Sequence, residues 1–122
     1  MHLFRYNSAM QPILAVRFYC SSAGNEPVRD WLKTKVSANA RKEIGADIKT
    51  VQFGWPIGMP VVRKMESGLW EVRSTIPEGI ARVLFTVAGP DMVLLHGFIK
   101  KSSGTPKEDL ELARTRMKEV KK

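Results

Sequence analysis

The stretch Gly68–Pro106, GLWEVRSTIPEGIARVLFTVAGPDMVLLHGFIKKSSGTP, decides how this chain is built. From Leu69 to Ile76 the even positions Trp70, Val72, Ser74 and Ile76 are mostly apolar. The odd positions Leu69, Glu71, Arg73 and Thr75 are mostly polar. Side chains alternate sides along a strand, so this period of two predicts a sheet with two unlike faces. Ile80 to Val87 repeats the pattern, with Ala81, Val83, Phe85 and Val87 on one face and Arg82 and Thr86 on the other. Gly89-Pro90-Asp91 reads as a turn. Met92 to Ile99 is apolar at every position but His96, as expected of a central strand covered on both sides.

Outward from this stretch, Glu66-Ser67-Gly68 predicts a turn, preceded by a short strand at Val61–Met65. Downstream, Thr105, Pro106 and Glu108 have the spacing of a capping box, with proline at the first helical position. Leu110, Ala113, Met117 and Val120 would form the apolar stripe of that last helix. Upstream, Trp55–Pro60 reads as a loop, and Gly54 as the left-handed residue closing a helix whose stripe is Ala40, Ile44, Ile48 and Val51. Ser37 would cap that helix. Asn25 would cap a shorter one carrying Val28, Trp31 and Leu32 on one face. Ile13–Cys20 reads as the first strand. The order β-α-α-β-β-β-β-α predicts an α+β class: an N-terminal strand and two helices, an antiparallel-rich sheet of four or five strands, and a C-terminal helix. Residues 13–122 are read as one domain, and residues 1–12 as a lead-in that is ordered or frayed, with Met10 an alternative start.

The 122 residues carry a formal net charge of +8. Such an excess on a small domain favours nucleic acid or an acidic protein as partner, against the plainer reading of a solubilising surface. One cysteine, Cys20, excludes a disulfide within the chain and any cysteine-based metal cluster; its apolar surroundings predict a buried, inert thiol. No apolar run approaches the length of a membrane span and no signal-peptide core is visible, so a cytoplasmic protein is expected. There is no Walker loop, no GxGxxG and no nucleophile elbow.

The chemistry rests with the cations. Arg73 and Arg82 occupy the polar faces of adjacent strands, where a hairpin would set them side by side. The guanidinium fork suits phosphate. Pairing with Glu71 on the same face is the structural alternative for either arginine. Two arginines followed by Lys100 and Lys101 favour phosphate, and Arg63 and Lys64 would add contacts to RNA. His96 suits proton transfer by its ordinary pKa, while its apolar strand suits a hydrogen-bonded structural histidine. Glu71 and Glu78 are weaker candidates for a general base. Nothing in the pattern calls for a metal or a cofactor.

Gly68-Leu69-Trp70-Glu71-Val72-Arg73, Ala81-Arg82-Val83-Leu84-Phe85, the run Val93–Lys101 with Thr105-Pro106, and then Glu111, Ala113 and Arg116 together resemble the HigB-like branch of the RelE toxins, including its phage-derived members. Val62-Arg63-Lys64-Met65 and the upstream PVRDWL segment resemble the same family, so the likeness runs from about Ile13 to Val120. It implies a toxin of a type II toxin–antitoxin system, a metal-independent endoribonuclease that cuts mRNA on the ribosome. It also implies a neutralising antitoxin, expected to be a helix-turn-helix protein. In that reading Arg73 and Arg82 stabilise the scissile phosphate and Lys100 or Lys101 adds a further cation. The chain differs from relatives at Leu69 and Glu71, where some carry lysines, and at Ala81, where an aromatic residue is usual. A gyrase inhibitor of the ParE kind, which shares the fold, and a non-catalytic basic RNA-binding module are the alternatives.

Overall fold

The computed structural model describes residues 11–100 and 104–121. The lead-in assigned to residues 1–12 therefore falls mostly outside the described residues, as does Lys101. The elements run β1 (Ala15–Phe18), α1 (Pro27–Thr34), α2 (Ala38–Gly54), β2 (Val62–Glu66), β3 (Leu69–Ile76), β4 (Gly79–Ala88), β5 (Asp91–Lys100) and α3 (Lys107–Val120). This is the expected order and the expected α+β class. All five strands join one sheet in the order β1-β5-β4-β3-β2. The last four form an antiparallel meander, and β1 joins β5 in parallel.

Both faces of the sheet are covered. Under α1 and α2 lies an apolar core in which Val28, Ile44 and Val51 meet Val72, Val83, Phe85 and Leu94. Trp55, Trp70 and Phe85 pack ring against ring there, with centroids 4.9 to 5.8 Å apart. Gly97 is part of this packing: a Cβ at that position would lie 2.5 Å from the Trp31 ring, so the indole of α1 occupies the space a side chain would need. On the other face α3 lays Leu110, Ala113, Met117 and Val120 over Leu69, Leu84, Val93 and Leu95.

The meander is broken by one bulge. Leu84 pairs with His96 but Phe85 pairs with Leu94, which leaves Leu95 as an extra residue. A bulge removes a ladder bond, and an orphaned carbonyl needs a donor. Arg116 of α3 supplies it, its Nη1 donating to the Leu95 carbonyl at 2.7 Å.

Several local expectations are corrected. Ser37 does cap α2, accepting from the Ala40 N–H at 3.2 Å. Asn25 does not cap α1: Glu26 takes that place, while Asn25 closes the preceding loop by bonding Ser21. Gly54 is the last residue of α2 and is not left-handed, because the chain leaves in extended form at Trp55. The expected capping box before α3 is absent: Pro106 is the cap residue, and the Thr105 hydroxyl is used elsewhere. Cys20 is exposed rather than buried, because β1 ends at Phe18 and the chain is already turning outward. Among the described residues no helix is long and apolar enough to cross a membrane.

Candidate nucleic-acid interface

Strand register builds the site on the face beneath α3. Arg73 and Arg82 are direct partners across β3 and β4, as the alternation predicted. Arg63 of β2 stands opposite Glu71, and Lys100 of β5 stands opposite Ile80, two residues from Arg82. Residues paired across strands share a face, so Arg63, Arg73, Arg82 and Lys100 fall on one side of the sheet. Lys64 is opposite Trp70 and so belongs to the other face at the β2 edge. The adjacent pair Arg63-Lys64 is thereby split.

Glu71 is the hub. Its side chain is 0% exposed, and so is that of Arg82. Arg82 Nη1 lies 3.3 Å from Glu71 Oε1, and Arg73 Nη1 lies 3.5 Å from the same oxygen. The Thr105 hydroxyl donates to Oε2 at 2.7 Å. The polar face that carries Arg82 is not an open one: α3 and its approach cover the middle of the sheet, and the guanidinium is held against a buried carboxylate, the structural alternative for this arginine. Burial pushes Arg82 below its ordinary pKa; the Glu71 charge opposes this, while Arg73 and Arg63 add to it. An arginine in that position stays charged. Arg73 keeps 16% of its side chain exposed, Lys100 is half-buried and Arg63 is exposed. The accessible positive charge therefore lies along the margin of the helix, and the buried charge beneath it.

His96 is a further point at which α3 is fastened. Its Nε2 lies 2.6 Å from Asp109 Oδ1, in the first turn of α3, and its ring stacks on Phe98. The start of α3 thus grips β3 through Thr105 and β5 through Asp109, straddling the strand that carries Arg82. Glu78 is exposed in the β3–β4 turn, away from this cluster. Among the described residues no three His, Cys, Asp or Glu side chains come together as metal ligands.

Comparison with known families matches residues 30–118 to the family described as Phage derived protein Gp49-like (DUF891). The chain belongs to this family. Gp49-like proteins are a RelE/HigB-like toxin family associated with toxin–antitoxin systems. A search of curated proteins found no match. The matched segment of this Gp49-like chain runs from within α1 through most of α3 and contains the whole cation cluster, with Glu71, His96 and Asp109. Sequence reasoning missed Thr105 and Asp109. Thr105 read as part of a helix cap, and Asp109 stands in no motif of its own. Only the three-dimensional path of α3 brings them to Glu71 and His96.

Proposed function

We propose that this Gp49-like chain is the toxin of a type II toxin–antitoxin pair and acts as a ribosome-dependent mRNA endonuclease. The observation that carries this is the register that sets Arg73 against Arg82, with Arg63 and Lys100 in neighbouring pairs and a single buried carboxylate among them. Those four cations against one anion leave a fixed positive field on one sheet face, suited to a backbone phosphate.

The chemistry such a face supports is internal transesterification of RNA. The 2′-oxygen of a nucleotide bonds to its own 3′-phosphorus and gives up its proton. The bond from phosphorus to the following 5′-oxygen breaks, and that oxygen takes up a proton. The products are a 2′,3′-cyclic phosphate and a free 5′-hydroxyl. Negative charge grows on the phosphoryl oxygens along the way, and prepositioned cations stabilise it without a metal. Arg73 and Lys100 reach the phosphate, Arg82 adds charge from behind, and Arg63 holds an adjacent nucleotide. The partner that silences the chain is an antitoxin, a small helix-turn-helix protein encoded beside it.

Primer extension on cellular mRNA after induction tests this. New ends inside translated codons are expected. Intact messages accompanied by DNA breaks would replace the nuclease with a gyrase poison. RNA binding without new ends or growth arrest would leave only an RNA-binding module.

A further inference from the structure

The cluster holds a residue whose task is neither to touch RNA nor to carry a proton. Arg73 and Arg82 are directly opposed, and like charges in that relation repel. Glu71, two residues before Arg73 on the same strand face, draws both guanidiniums to one oxygen, Oε1. Its second oxygen is taken by the Thr105 hydroxyl. The carboxylate is fully buried, so no substrate hydroxyl meets it in this arrangement. The outcome for the two arginines is unequal: Arg82 is sealed in, and Arg73 keeps an exposed portion.

We propose, on the footing of the nuclease reading above, that Glu71 is a positioning residue. It locks Arg82 as a buried anchor and aims Arg73 outward at the scissile phosphate, and Thr105 fixes the carboxylate from the α3 side. A carboxylate beside a phosphate site weakens anion binding in general. Its presence is explained when what matters is where Arg73 points in the transition state rather than how strongly RNA is held.

That reasoning gives a signature no simple stability role shares. Glu71→Gln keeps the size and an acceptor for Thr105 but removes the charge that holds both arginines. With purified protein and ribosomes programmed with a defined message, turnover at saturating substrate should fall about 100-fold, the cost of misplacing a reacting group. Binding of a non-cleavable oligoribonucleotide, 2′-deoxy at the cleavage position, should stay equal or tighten, since a buried negative charge has been removed from beneath the cations. Thr105→Val should lower turnover less, and Thr105→Ser should restore it.

A second measurement stands if Glu71→Gln fails to fold. In nitrogen-15-labelled wild-type protein, guanidinium rotation of Arg73 should be slowed relative to exposed Arg63. An Arg73 that rotates as freely as Arg63 overturns the proposal, as does a Glu71→Gln protein that cleaves at the wild-type rate. Turnover and RNA affinity falling together, in proportion to the folded fraction, would also overturn it and leave the nuclease reading standing. A wild-type protein that cleaves nothing takes both away.

Discussion

The two faces of the sheet are covered by helices of different length and held by different forces. Beneath α1 and α2, residues such as Val72, Val83 and Phe85 meet Ile44 and Val51 with scarcely a polar atom between them. Beneath α3, apolar contacts such as Leu84 against Ala113 are interrupted by Glu71–Arg82, Thr105–Glu71, His96–Asp109 and Arg114–Glu66. The first face stabilises by removing apolar surface from water, which is non-directional and tolerant. The second depends on particular atoms meeting at particular distances, and it offsets the desolvation of charge only while every partner is present. The division gives one sheet an apolar half and an ionic half, and the chemistry proposed above belongs to the second.

If that contrast is right, the largest loss should come from the apolar face. Phe85→Ala removes a ring packed against Trp55 and Trp70 and should destabilise by about 4 kcal/mol in denaturant titrations. Activity per folded molecule should persist.

Arg82→Ala should destabilise by about 3 kcal/mol, because it leaves Glu71 buried without its buried counter-charge. The double replacement Glu71→Leu with Arg82→Met should recover most of that stability and still fail to cleave RNA. Recovery of both properties would mean the ionic half has no chemical role.

Gly97→Ala adds a single methyl group to the apolar side, against the Trp31 indole, and should cost about 2 kcal/mol by overpacking. Trp31→Leu in the same chain should relieve part of it, which thermal unfolding of the double variant would show.

His96→Gln should cost least, about 1 kcal/mol, since glutamine can still donate to Asp109 from this half-buried position. Cleavage per folded molecule should survive. Its abolition with RNA binding intact would move proton transfer to His96 and extend the chemical half to β5.

Much of the contrast was already legible in the residue order. Period-two alternation assigned Val72, Val83 and Phe85 to one face and Glu71, Arg73 and Arg82 to the other, and the apolar run around His96 announced a strand with neighbours on both sides. Alternation reports direction and not depth. It therefore could not tell that α3 would cover Arg82 while leaving part of Arg73 in water. Helix-end chemistry was the weakest guide, because Thr105 and Asn25 have uses other than capping and the chain leaves Gly54 in extended form. Thr105 lies 34 positions from Glu71, and no local rule links residues that far apart. The bulge at Leu95 was likewise invisible, since it is defined by the partner strand.

Trp31 and Gly97 draw on a single small volume, one filling it and the other leaving it empty. Such a pair is expected to vary together. A relative with alanine at the second position is expected to carry a smaller residue at the first, or a first helix set further from the sheet. Anyone grafting the cationic strands of this protein onto another scaffold would have to bring the tryptophan along with the glycine, although neither carries a charge.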